Sequence, residues 1–229
     1  MNKILILILI VSSNLWSQSN LTSDRPTFSD DPYLVPDSKV QIELGAHPSE
    51  QYLFGAARLK LSPTVELRLS SQREDINSSS PNNYLSVAIR TQVSYNSSII
   101  LDTDFISELQ SNVNTTTIKY LKDISIGSSS RFNFTYNAGF SILHNTSIGS
   151  TSITGVYSGC LGYALVPSTL TLLLETYNPD IRNYRNQGFI TAILINPHPN
   201  FQLDFSGNYL VEESQLFKSG LQVGLTLLL

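Results

Sequence analysis

Two kinds of residue in this chain have types and spacing that bear on chemistry. The first is His144-Asn145-Thr146-Ser147, a base and a hydroxyl three residues apart. Nucleophilic catalysis needs serine and histidine within hydrogen-bond reach and a third group that orients the base. This pair straddles a loop and lacks lipase-like spacing, so it reads as loop composition and no enzyme is expected. His47 and His198 sit beside prolines in a loop and a turn, no cluster has metal-ligand spacing, and no glycine loop would cradle a phosphate. No metal and no cofactor are therefore expected. The second kind is a set of charges, each next to at least one apolar residue: Glu43, Arg58, Lys60, Glu66, Arg68 and Arg90.

The elements that hold those charges follow from their spacing. Val40, Ile42 and Leu44 alternate with Gln41 and Glu43, Ala57, Leu59 and Leu61 with Arg58 and Lys60, and Val65, Leu67 and Leu69 with Glu66 and Arg68. The same period of two runs through Leu85–Val93, Phe132–Ile142, Ile153–Tyr163, Leu170–Leu174, Phe201–Phe205 and Leu221–Leu227. Successive strand side chains point to opposite faces, so sustained period two predicts strands. Ile99–Ile106 and Thr115–Ile126 alternate less cleanly and are still counted, and Phe189–Ile195 completes twelve. An even number returns both termini to one side, as bacterial single-chain barrels require.

The connections support this. Ser62-Pro63-Thr64, Asn96-Ser97, Gly127-Ser128-Ser129-Ser130, Pro167-Ser168 and Asn196-Pro197-His198-Pro199 make tight turns. Longer polar stretches, Ser71–Asn83 and Asn178–Gln187, fall between them, while His47–Gln51 is short. Short turns on one rim and long loops on the other are an outer-membrane pattern, with the short side periplasmic.

Register can then be proposed for the charges. A three-residue turn at Ser62-Pro63-Thr64 sets Leu61 opposite Val65, Lys60 opposite Glu66 and Arg58 opposite Arg68. A four-residue first loop sets Gln41 against Arg58, with Glu43 diagonal. All six charges would face a lumen near one wall. Such rows set ion preference in a pore; equally, they would pair and plug the interior as a salt-bridged core. Tyr52, Tyr95, Tyr163, Phe201, Tyr209 and Phe217 near strand ends are expected in interfacial girdles, although aromatics are common in strands generally.

The N-terminus sets the compartment. Lys3, the apolar run Ile4–Val11 and a small residue before a cut after Ser17 make a secretory signal, leaving Gln18 first. Eight apolar residues fall short of the ~20 that a spanning helix needs. One cysteine, Cys160, permits no internal disulfide. Charged residues are only 14%, below the ~25% of ordinary soluble domains, which suits a barrel with one lipid face and one wet face. A net charge of −4 gives no case for nucleic acid.

The stretch Thr22-Ser23-Asp24-Arg25-Pro26-Thr27-Phe28-Ser29, then Val35-Pro36 and Gln41-Ile42-Glu43-Leu44-Gly45, resembles the opening of a family of outer-membrane transporters labelled "MetA pathway of phenol degradation". Leu61-Ser62-Pro63-Thr64-Val65-Glu66-Leu67-Arg68-Leu69 resembles its next landmark, and Pro197 to Phe205 its motif near the end. The resemblance implies one barrel over nearly the whole mature chain and a transport role. Asp24, Arg25 and Pro26 form its N-terminal box. They are expected either as a plug or latch, with Arg25 bridging to rim carboxylates, or as an ordered strap that caps turns.

These readings converge on an all-β, single transmembrane, antiparallel up-and-down β-barrel of about twelve strands. Residues 1–17 are expected as signal peptide, 18–38 as an N-terminal periplasmic segment and 39–229 as the barrel. The expected function is a pore or transporter of small molecules, aromatic or apolar ones among them, in a Gram-negative outer membrane reached after export through the inner membrane. The alternatives are a structural barrel with a plugged interior and an exported soluble lipocalin-like binder, which would carry its apolar face inside. Expected partners are outer-membrane lipid, periplasmic chaperones with the barrel-assembly machinery, and an unidentified small-molecule substrate.

Overall fold

The computed structural model describes residues 29–48, 51–74, 82–107, 112–127, 131–178, 187–212 and 215–229. The expected signal peptide, with Ser17, and the box Asp24-Arg25-Pro26 lie outside the described residues.

Twelve strands form: β1 (Val40–His47), β2 (Tyr52–Ser62), β3 (Val65–Glu74), β4 (Asn82–Ser94), β5 (Ser97–Ser107), β6 (Asn112–Ile126), β7 (Phe132–Asn145), β8 (Ser150–Val166), β9 (Leu170–Asn178), β10 (Gln187–His198), β11 (Phe201–Glu212) and β12 (Gln215–Leu228). Each pairs antiparallel with its neighbours in sequence, and β1 pairs with β12, from Gln41 opposite Leu228 to Ala46 opposite Val223. The sheet is thus a closed barrel with no free edge.

The alternation that predicts the strands also sorts the two faces. Leu44, Leu59, Leu69, Ile89, Leu101, Ile118, Phe140, Leu174, Ile193, Phe205 and Leu221 project outward and are exposed around the barrel. Gln41, Glu43, Arg58, Glu66, Arg90, Asp123, Asn137, Glu175, Gln202, Asp204 and Thr226 take the opposite parity and are buried. A soluble monomer rarely exposes more than a few hundred Å² of contiguous apolar surface. An apolar belt around a polar interior is the distribution that a hydrocarbon surrounding demands.

Register follows the expectation in part. Lys60 lies opposite Glu66, Arg58 opposite Arg68, and Gln41 opposite Arg58. Leu61 does not face Val65. A bulge between Lys60 and Ser62 puts Ser62 there and shortens the turn to two residues, 63–64. At the last short turn β10 runs on to His198 through an irregular register. Pro197 is tolerated there because a bulge needs no ladder donor at that position, and the turn itself is 199–200.

The asymmetry of the two rims is weaker than the sequence implies. Of the described connections, 63–64, 95–96, 167–169 and 199–200 lie on one rim and are short, and 146–149 on the other is nearly as short. Strands extend into stretches that read as loop: β3 runs to Glu74, β4 begins at Asn82, β9 runs to Asn178 and β10 begins at Gln187.

Candidate functional site

Residues 29–39 precede the first strand; 29–35 lie inside the barrel and 37–38 are exposed at its rim, in the stretch expected as a periplasmic segment. The chain is short, polar and free of sheet pairing, so its backbone groups need partners elsewhere. The lumen wall supplies them. Val35 N donates to Glu66 Oε2 at 2.7 Å, and the Tyr33 carbonyl accepts from Arg58 Nη2 at 3.0 Å and Arg90 Nη1 at 2.9 Å. The Pro32 carbonyl accepts from the Ser98 hydroxyl. Further in, Ser29 N and Oγ both donate to Glu175 Oε1 at 2.5 Å, and the Ser29 and Ser158 hydroxyl oxygens are hydrogen-bonded at 2.7 Å. From Pro36 a turn closed by Lys39 N on the Pro36 carbonyl at 3.2 Å, with Ser38 left-handed at φ 59°, leads into β1. The strap therefore climbs from the short-turn rim toward the middle of the lumen and touches β2–β6, β8 and β9.

The charges on that wall form one connected network. Arg58 is fully buried, with Nε on Glu66 Oε1 at 2.9 Å and Nη1 3.6 Å from Glu43 Oε1. Arg90, also buried, stands 3.7 Å from Glu66 and 3.5 Å from Asp31. Asp30 of the strap takes Arg68 at 3.3 Å, has Arg90 at 3.9 Å, and takes a close hydrogen bond from Lys119. Lys60 pairs with Asp37 at 2.7 Å at the rim. Tyr33 donates its hydroxyl to Asp123 Oδ2 at 2.7 Å, and Asp123 also accepts from Thr135 at 2.9 Å. Burial first, and then this bond, push the Tyr33 hydroxyl's pKa up and keep it a donor. The buried carboxylates of this network are tolerated because each meets a cation or several donors.

Glu43, Arg58, Lys60, Glu66, Arg68 and Arg90 thus share one inward wall. Asp30, Tyr33, Lys119, Asp123 and Glu175 belong to the same network and were missed. The ladder reading stops at Arg90 because Ile100 and Leu121 also point inward, packed with Ala88 in a small buried apolar cluster. That cluster spoils the alternation on β5 and β6. Nothing in Ser29-Asp30-Asp31-Pro32 announces a chain that enters the lumen.

Above the strap, Phe54, Arg68, Gln72, Tyr84, Asp102 and Asp104 line a polar cavity of about 340 Å³. Asp102 takes a short bond from the Ser86 hydroxyl, and Arg68 lies 5.9 Å over the Phe54 ring. A larger concavity, about 610 Å³, is an apolar groove on the outer face among Leu172, Leu174, Ile193, Phe205 and Leu221. It lies away from the charged network. His144 bonds Thr151 at 2.9 Å at an exposed position, and the Ser147 amide bonds Asn145 at 3.0 Å in the adjoining turn. His47 is buried and stacks on Tyr52 at 5.1 Å, so Tyr52 serves the inner face and not an outer girdle. Tyr95 is 86% exposed beside a short turn, and Tyr163 stacks on Phe132 at 4.4 Å on the outside. The Phe217 side chain lies outside what is described. Among the described residues no group of His, Cys, Asp and Glu is arranged to hold a metal.

With this geometry in view, likeness to known proteins can be judged. No protein-family model matches the chain, and no curated protein sequence does. The phenol-degradation resemblance therefore stands on its motifs alone. Solved structures match by fold. The KdgM porin superposes with a TM-score of 0.54 at 8% identity, covering 82% of this chain and 98% of that one. The NanC porin gives 0.51 at 11% identity over 82% and 98%. LpxR from Salmonella typhimurium gives 0.52 at 9% identity over 83% and 99%. The chain has the porin-like barrel fold.

Proposed function

We propose that this chain is an outer-membrane barrel that conducts small polar solutes through a lumen narrowed by its own N-terminal strap. The observation that carries the reading is the inverted distribution of polarity: apolar outside, polar and charged inside. A lipocalin-like soluble binder needs the reverse. A lumen lined by Arg, Lys, Asp and Glu favours hydrated solutes over the aromatic or apolar ones that the motif resemblance implies. The charged network would bias which ions pass, as rows of charge do in other pores.

A second reading, a structural barrel with a plugged interior, is favoured by the strap itself, whose Ser29, Asp30 and Val35 are buried against the wall. Conductance separates the two. Refolded full-length protein in a planar bilayer is expected to show small, intermittent single-channel steps. A membrane resistance unchanged by inserted, heat-modifiable protein would leave only the plugged barrel.

A further inference from the structure

We infer that Arg68, Arg90 and Lys119 form an anion-binding site, and that Asp30 of the strap occupies it as a built-in competitor for small anionic solutes. The inference deepens the pore reading by naming what would shift the strap, and it rests on that reading for its current measurement.

The three cations come from β3, β4 and β6, and they converge on one carboxylate that belongs to no strand. Arg68 is 3.3 Å from Asp30 Oδ1, Arg90 is 3.9 Å from the same oxygen, and Lys119 holds Oδ2. The closed sheet fixes the three strands that carry the cations. Side chains of one sign held this close, away from bulk water, need an opposing charge. Other acids share these cations: Arg90 also stands 3.5 Å from Asp31 of the strap and 3.7 Å from Glu66, while Asp30 is the carboxylate that bridges Arg68 and Lys119. Glu66 is divided among Arg58, Arg90 and the Val35 amide, Asp102 takes the Ser86 hydroxyl, and Asp104, one register row nearer the long-loop rim, feels the charges of Arg68 and Lys119 from outside the cluster. A solute carboxylate or phosphate of Asp-like size fits where Asp30 now sits.

The site is reached from one side. Arg68 lines both the network and the 340 Å³ cavity above the strap, so an anion entering that cavity meets Arg68 first. A tethered carboxylate has an effective concentration on the order of millimolar. A free anion must therefore reach comparable concentrations to displace it, which suits a general solute pathway. Displacement of Asp30 would free the Tyr33 and Ser29 contacts in turn, since all three lie on one short segment without sheet pairing.

Cys160 provides a native reporter. It faces inward beside Ser158 and opposite Glu175, the two residues that Ser29 holds, and it is buried. The experiment uses full-length protein, sodium succinate as the probe, glucose as a neutral control, and constant ionic strength. Two signals are read: single-channel current, and the rate at which a small polar maleimide modifies Cys160 in micelles.

In the wild type, tens of millimolar succinate is expected to raise both signals while glucose raises neither. Asp30→Asn should label at least about tenfold faster without succinate, as expected from the loss of charge in its hydrogen bonds to Arg68 and Lys119. Arg68→Gln with Lys119→Gln should abolish the succinate response. Current that ignores succinate, with labelling equal in wild type and Asp30→Asn, overturns the anion site and leaves the pore. Labelling that responds while no preparation conducts keeps the anion site and overturns the pore. Labelling that never responds, with no current, overturns both.

Discussion

The lumen has two walls of different construction. On β2–β6 the described inward residues include Arg58, Lys60, Glu66, Arg68, Arg90, Lys119 and Asp123, and each is joined to the strap directly or through one partner. On β7–β12 the described inward residues are mostly neutral, such as Asn137, Ser158, Gln202, Ser206 and Gln222, with Glu175 and Asp204 the acids among them. Both walls are polar enough for a wet interior, yet the strap lies mainly along the first. Its carbonyls and carboxylates need donors with full charge to replace water, and amides or hydroxyls would repay that desolvation less well. Charge on one wall positions most of the segment, and the mostly neutral wall holds only its Ser29 end, through Glu175 and Ser158.

The comparison breaks most sharply at Glu66. It holds Arg58 Nε at 2.9 Å and the Val35 amide at 2.7 Å, so it joins the wall to the strap. Glu66→Ala should leave a buried guanidinium short of a partner and destabilise the barrel by about 3–5 kcal/mol. The temperature at which the folded band shifts in gel mobility reads this. A shift as small as that of a neutral-wall substitution would mean that the charged wall is hydrated and does not grip.

How far this division was legible depends on which residues announce it. The barrel and its twelve strands follow from alternation, and the register of Arg58, Lys60, Glu66 and Arg68 follows from one short turn, although the bulge at Leu61 was hidden. Alternation reports which residues share a face and does not report what enters the space they enclose. The strap was therefore invisible as a lumen element: Asp30, Tyr33 and Ser29 are ordinary turn residues in sequence, and their partners are 89, 90 and 146 residues away. Ile100 and Leu121 concealed the rest of the charged wall, because an inward apolar side chain looks the same as an outward one.

Tyr33 tests the seam between the walls. Its hydroxyl meets Asp123 on β6, whose other oxygen takes Thr135 on β7. Tyr33→Phe keeps the ring edge-on to Tyr95 at 6.2 Å and removes one hydrogen bond to a carboxylate. The expected loss is about 1.5 kcal/mol, the low end for a charged bond because Asp123 keeps a donor. Urea titration followed by the strand signal in circular dichroism measures it. A loss matching that of Glu66→Ala would shift the strap's main hold from the arginines to β6.

The smallest effect should come with the opposite sign. Ser206 is buried on the neutral wall, and its hydroxyl makes no hydrogen bond among the described residues. A buried hydroxyl without a protein partner costs desolvation and returns little, so removing it differs in kind from removing Glu66. Ser206→Ala also leaves β11 intact, since the backbone ladder to Ala192 and Gln222 needs no side chain. The volume lost is a single oxygen, too small to open a cavity of consequence. Stability should stay level or rise, by no more than about 1 kcal/mol. The strap should be undisturbed, so maleimide modification of Cys160 should proceed at the wild-type rate. If Ser206→Ala instead weakened the barrel and sped Cys160 labelling, the β10–β12 wall would be gripping the strap as well, and the lumen would have one continuous lining in place of two walls.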